Sequence, residues 1–205
     1  MTISDRKERD RQEMRRMILD HAKKLFLKEG FENVTIRNIA ESMEYSPATV
    51  YLYFKDKDEM YYALHVEGFQ KLVKAERSIL STKDPLERLR KCGEVYIRFA
   101  LENPEYYDLM FIMSATGKRI GEKDKKWAVG VEAYDILKQI VHDCMEAGAI
   151  PRANVDAASF ALWSLVHGMA ALIIRKRCIM IPEENLNGLV QEALAYVMQS
   201  LNVEA

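Results

Sequence analysis

Three Xaa-Pro pairs, Ser46-Pro47, Asp84-Pro85 and Asn103-Pro104, constrain this chain more than any other feature. In each, a side chain able to cap a helix stands just before a proline, whose fixed φ and missing N–H suit a first helical turn. Asn154 and Pro182 suggest two further starts, and Glu183 and Glu184 place carboxylates where a helix N-terminus favours them. Only 9 Gly and 5 Pro occur in 205 residues, too few for a turn-rich β-sandwich. The expected class is all-α.

Periodicity fills in the elements. Met14, Met17, Ile18, His21, Ala22, Leu25 and Phe26 recur at helical spacing, and Gly30 is placed to end that helix in the left-handed conformation. Thr35 caps a short helix with Ile36, Ile39, Ala40 and Met43 facing inward, and Glu44-Tyr45 leaves a tight turn before Ser46-Pro47. A long helix is expected over 58–80, with others near 84–102, 104–114, 124–147, 154–177 and 183–201. A loose segment is expected over 116–126, where Gly117, Gly121 and five lysines or arginines cluster.

Hydrophobic residues make up 49% and charged residues 30%, enough for a packed core. Residues 1–16 contain no apolar stretch of signal-peptide type. Cys92, Cys144 and Cys178 form no C-x-x-C pair, so a reducing cytoplasm is the expected location. Residues 157–174 carry no formal charge and reach the lower length limit of a membrane span. Ser159, Ser164, His167 and Gly168 within them favour a helix surrounded by other helices.

The run Thr35-Ile36-Arg37-Asn38-Ile39-Ala40, then Ser46-Pro47-Ala48-Thr49-Val50-Tyr51-Leu52-Tyr53-Phe54, then Lys57 and Met60, resembles the helix-turn-helix of the TetR family of transcriptional regulators. The likeness spans residues 12–64, about a quarter of the chain. The family often has Gly where this chain has Glu44 and Ala48. Asn103-Pro104-Glu105-Tyr106-Tyr107 and Trp163-Ser164-Leu165-Val166-His167-Gly168 resemble, more weakly, parts of the ligand-binding halves of some members. The resemblance implies a three-helix DNA-binding domain over 1–57 and a larger helical effector-binding and dimerisation domain over 58–205.

In a helix-turn-helix the second helix enters the major groove N-terminus first. Packing of Val50 and Phe54 on Ile39 and the first helix turns Pro47, Ala48, Tyr51 and Thr49 toward DNA. Ala48 and the Thr49 methyl suit thymine methyl groups, and the Tyr51 and Tyr53 hydroxyls suit phosphates or base acceptors. By resemblance, Thr35, Tyr53 and Lys57 clamp phosphates. Ser46 caps the helix, and Arg37 and Lys55 join the interface through their place in the motif. Taken singly, the tyrosines read more readily as half-buried packing residues and the basic residues as solvated charges, and it is their position in the motif that promotes them. Residues 1–57 carry net charge +2 and 58–205 net −3, so any basic surface is local. Arg6, Lys7, Arg9 and Arg11 alternate with acids, as in a frayed, solvated helix extension or a flexible phosphate contact.

The second half is expected to pair chains and to sense. Leu186, Leu189, Val190, Ala193, Leu194, Val197 and Leu201 form one stripe, which either joins a second copy in a helical bundle or closes the chain's own core. A homodimer with recognition helices about 34 Å apart reads a palindromic double-stranded operator. Tyr96, Phe99, Tyr106, Tyr107, Met110, Phe111, Met113, Trp127, Tyr134 and Trp163 are residue types that line apolar pockets and also fill cores. The resemblance favours a pocket between the 58–80 helix and later helices. His167 is then a pocket contact or, more simply, a hydrogen-bonded buried histidine. It further implies repression relieved by a small apolar or cationic effector that displaces the 58–80 helix. An activator, a regulator without effector, and a redox-responsive regulator acting through Cys178 beside Arg175, Lys176 and Arg177 are alternatives on this fold. Phosphate loops, G-x-S-x-G and H-E-x-x-H are absent, and His142 and Cys144 are two apart; no catalytic residue, metal ligand or cofactor is expected, and an enzyme is the least favoured reading.

Overall fold

The computed structural model describes residues 3–113 and 128–201, and every regular element among them is helical. Trp127 and the expected loose segment 116–126 lie outside the described residues. In chain order the helices are α1 (Ile3–Glu29), α2 (Ile36–Ser42), α3 (Pro47–Tyr51), α4 (Lys57–Arg77), α5 (Pro85–Glu102), α6 (Pro104–Tyr107), α7 (Ala128–Glu146), α8 (Val155–Ile174) and α9 (Glu183–Leu201). Asp84 and Asn154 cap α5 and α8 as their chemistry requires, accepting from the N–H groups of Glu87 and Ala157. After α6 the backbone widens into one π turn, Asp108–Ile112, so the expected 104–114 helix is not uniform.

Contacts divide the described chain into two units, one of residues 3–68 and 105–113, the other of 69–104 and 128–201. The first unit closes around Ile18, Ala22 and Phe26 of α1, Ile39 and Ala40 of α2, Val50 and Phe54, and Met60 and Leu64 of α4. A short 3-10 turn, Phe31–Asn33, links α1 to α2. Its Phe31 ring meets Phe26 and Tyr61 at 5.1 and 5.0 Å between centroids, an aromatic contact that periodicity does not reveal. Gly30 is not in the left-handed helical region expected of it. Its φ of 81° is paired with an extended ψ of 146°, a combination open essentially to glycine. At Gly68 a Cβ would lie 2.5 Å from Met110 Sδ and 3.2 Å from the Tyr106 ring, so glycine permits α4 to meet the 104–112 segment closely.

In the second unit α5 packs against α7, α8 and α9, around Leu89, Cys92, Val95, Ile140, Val141 and Cys144. The expectation that α8 is surrounded is not met by this chain. Only Ser159, Val166 and Ala170 are buried, whereas Phe160 is 60% exposed and Leu172 is exposed. By length and composition alone α8 could cross a membrane.

The α2–α3 turn is a Schellman motif: the Tyr45 N–H donates to the Ala40 carbonyl (3.0 Å) and the Glu44 N–H to that of Glu41 (3.1 Å). Glu44 occupies its left-handed position with φ 60°. A side chain there costs about 1–2 kcal/mol, partly offset by the greater unfolded-state freedom of glycine. Glu44→Gly is therefore expected to stabilise the chain by about 0.5–1 kcal/mol, read as a higher midpoint in urea. An unchanged or lower midpoint contradicts the strain assigned to Glu44.

Candidate functional site

The motif's geometry is built from caps. Thr35 Oγ1 accepts from the Asn38 N–H (3.2 Å) while Asn38 Oδ1 accepts from the Thr35 N–H (2.9 Å), a reciprocal box that starts α2. Ser46 Oγ accepts from the Thr49 N–H (3.2 Å), with Pro47 in the first turn of α3. Helix α3 ends at Tyr51, three residues before Phe54, where the motif run closes. From there N–H groups bond three residues back, Leu52 to Thr49 and Tyr53 to Val50. Val50 and Phe54 are buried, which leaves Pro47, Ala48, Tyr51 (57% exposed) and Leu52 (75% exposed) outward, with Thr49 half-buried.

The basic residues differ in what holds them. Arg37 is exposed and pairs with Glu41 one turn on (3.0 Å). Lys55 is exposed, and its N–H donates to Glu59 Oε2 (2.8 Å). Lys57 Nζ donates to the carbonyls of Phe31 (2.7 Å), Val34 (3.0 Å) and Glu32 (3.2 Å) and lies 4.4 Å above the Phe31 ring. These contacts close the 3-10 turn as a helix C-cap would. Tyr53 is half-buried, and its carbonyl accepts from Arg15, whose guanidinium lies 4.1 Å over the Phe54 ring. Arg15 and Leu52 are absent from the sequence-derived set. The only available signal for Leu52 is its place four residues after Ala48, on the same helix face.

The proposed effector residues do not gather in one place. Tyr96, Tyr134, Trp163 and His167 come together in the second unit, joined by Phe160. Trp163 Nε1 donates to Tyr96 Oη (3.3 Å), which lies 3.0 Å from His167 Nδ1. An indole only donates, so Tyr96 Oη accepts from Trp163, while its bond to a neutral His167 runs in the direction that the imidazole tautomer sets. Burial lowers the His167 pKa and favours that neutral form. The Tyr134 hydroxyl donates to the Asp156 carbonyl (3.3 Å), and Phe99 is buried. Tyr107, Met110 and Met113 belong to the first unit, where Tyr107 is fully buried and Met113 packs on the core. There Arg16 of α1 binds Asp20 and Glu67 (2.6 Å to Glu67 Oε2), and Glu67 Oε1 accepts from the Tyr106 hydroxyl (2.6 Å). Arg16 depresses the Asp20 pKa, and Lys23 pairs with Glu105 (2.8 Å).

The second unit also holds Glu76, a buried carboxylic acid that sequence patterning did not select. Its Oε2 is buried without a hydrogen-bond partner, and burial, aided by the charge of Glu132, pushes its pKa up to about 8. The α9 stripe divides. Leu194, Met198 and Leu201 turn into the chain's own core, Leu186, Val190, Ala193 and Val197 flank it half-buried, and Leu189 and Tyr196 are exposed, Tyr196 by 72%.

This geometry, two capped helices in a tight turn presenting the outer face of the second, defines a helix-turn-helix DNA-binding protein. The family model described as "Bacterial regulatory proteins, tetR family" matches residues 18–64, and "Tetracyclin repressor-like, C-terminal domain" matches 89–196. The chain belongs to the TetR family of transcriptional regulators. It is 22% identical over 161 residues to the uncharacterized HTH-type transcriptional regulator YobS of Bacillus subtilis, covering 78% of this chain and 79% of that one. It is 27% identical over 127 residues to the HTH-type transcriptional repressor AcnR of Corynebacterium glutamicum, covering 62% and 61%. The fold is shared with the TetR family regulator PfmR from Thermus thermophilus at TM-score 0.71 and 24% identity, over 89% of this chain and 97% of that one.

Two outcomes follow from the buried charges. Removing the three charge-assisted bonds of Lys57 in Lys57→Gln is expected to destabilise the DNA-free protein by about 1–3 kcal/mol in urea unfolding; a lysine serving phosphate alone leaves that midpoint unmoved. Glu76 holds its proton in the folded state up to about pH 8 but releases it near 4.5 when unfolded, so the folded state binds more protons between those values and stability falls as pH rises through them. Glu76→Gln is expected to match the parent at pH 4 and to melt higher than it at pH 9. Parallel melting curves across that range exclude a buried, neutral Glu76.

Proposed function

We propose that this regulator is a homodimeric repressor that holds a palindromic operator through α3 and releases it when a small apolar or cationic molecule binds the helical second half. Residues 1–57 are the DNA-reading domain and 58–205 the sensing and pairing domain in this reading. The observation that carries it is the outer face of α3. Ala48, Tyr51 and Leu52 stand clear of the core on a rigidly capped segment, with Thr49 beside them. Small and apolar groups there suit thymine methyls, and the Tyr51 hydroxyl suits a base or phosphate acceptor. Arg37, Lys55 and the Thr35 hydroxyl surround them with phosphate partners.

Pairing is supported by the uncovered side of α8 and α9, where Phe160, Leu172, Leu189 and Tyr196 are exposed. A second copy that covers this surface forms a helical bundle and sets the spacing of two recognition helices. Sensing is supported by the Tyr96–Trp163–His167 chain, which offers π faces and a polar group together, and by Glu76, which accepts a cation or donates a proton when neutral. Repression is favoured by the name of AcnR, a repressor. Helix α4 runs without a break from residues of the first unit into the second, so an effector that shifts it changes how α3 is held.

The test is fluorescence anisotropy on a palindromic duplex recovered by selection with the full chain. Tyr51→Ala is expected to lower the ratio of selected to scrambled duplex affinity by about 10-fold or more. An effector from a panel of apolar and cationic molecules is expected to weaken operator binding by roughly 5- to 150-fold. Equal affinity for selected and scrambled duplexes removes the reading of α3; an operator affinity that no member of the panel alters removes the sensing half.

A further inference from the structure

Helix α1 begins well before the rest of its unit. Residues 4–13 are all exposed yet helical, and the family model starts only at residue 18. The expected frayed end is continuous helix back to Ile3, ahead of the residues that the family model matches. Its charges are not evenly placed. At the helical angular step, Lys7, Arg11 and Arg15 fall four apart along one side, the side that Ile18 and Ala22 continue into the core. Arg15 marks where that side arrives, since its guanidinium lies 4.1 Å over Phe54 and donates to the Tyr53 carbonyl at the end of the recognition segment. On the opposite side Arg9 is neutralised by Asp10 (3.8 Å) and Glu13 (3.6 Å). Lys7 and Arg11 have no ion-pair partner among the described residues, and Glu8, between them in sequence, accepts from the Gln12 amide (3.1 Å).

We propose that Lys7 and Arg11 are a second DNA contact, a pair of phosphate ligands that grips the duplex backbone outside the stretch read by α3. The proposal rests on α3 being the base-reading element. An α-helix rises about 1.5 Å per residue, so Arg11 and Lys7 stand about 6 and 12 Å beyond Arg15. At about 3.4 Å per base pair that extends the contact by roughly three base pairs on each flank. Such contacts add affinity and register without sequence preference.

The experiment uses the full chain and two duplexes of about three helical turns, one palindromic from selection and one scrambled, titrated by anisotropy across a salt series. Each lost phosphate contact lowers the slope of log affinity against log salt by about 0.9. Lys7→Gln/Arg11→Gln is expected to reduce the slope by about 1.8 per protomer on both duplexes and to leave the ratio of their affinities unchanged. Arg6→Gln/Arg9→Gln removes the same charge from the other side and is expected to leave the slope unaltered. Circular dichroism of each variant reports whether α1 stays helical.

Equal slope losses in the two double variants reduce the effect to diffuse charge and overturn the proposal, as does an unchanged slope in Lys7→Gln/Arg11→Gln. Parent protein that binds both duplexes equally, yet shows the side-specific slope loss, breaks the reading of α3 as base reader and leaves a phosphate grip. Parent protein that binds neither duplex at low salt overturns both.

Discussion

Burial of Val50 and Phe54 under α1 determines what the recognition segment presents. Two side chains four apart can point to one side of a helix only, so fixing them in the core leaves Ala48, Tyr51 and Leu52 no place but solvent. The segment is too short to hold a helix by itself. Its shape is imposed by the Ser46 cap, by the Schellman turn at Glu44 and by Arg15, which both covers Phe54 and ties down the Tyr53 carbonyl. The exposed face of the segment and the stability of the domain are consequences of the same packing. A substitution that loosens Phe54 disturbs the DNA surface without touching it.

Charge is used sparingly and locally. With net charge −1 the chain has no broad field to draw it to DNA. Several of its cations near the motif serve the fold instead. Lys57 closes a 3-10 turn, Arg15 fastens the end of the recognition segment, and Arg16 bridges α1 to α4 through Glu67. Arg37 and Lys55, by contrast, are exposed.

Much of the architecture was legible because local chemistry and burial agree. Caps next to prolines locate the starts of α3 and α5, Pro104 marks that of α6 while the Asn103 amide donates back to the Phe99 carbonyl, and an apolar period locates α1 and α2. The ends of elements were less legible. Helix α3 stops at Tyr51 and the 104–112 segment widens into a π turn because packing, not propensity, decides the last residues. Lys57 could not be distinguished from a phosphate ligand by its letter or its place in the motif. Its partners are carbonyls 23 to 26 residues earlier, which no spacing rule connects to it. Glu76 was hidden for the opposite reason, since an isolated acid in a mixed-charge helix looks like any surface residue until its neighbours are known. The aromatic set was readable as a group of residue types and not as a place, and three of its members share the first unit's packing.

The close approach at Gly68 has a mechanical consequence. Sulfur and ring atoms of Met110 and Tyr106 fill the space of an ordinary side chain, so α4 and the 104–112 segment meet there at backbone range. The Tyr61 hydroxyl fastens the same segment through the Leu109 carbonyl at 2.6 Å. A methyl group at position 68 would act as a spacer there, and the Met110 side chain and the Tyr106 ring would have to yield before it fitted.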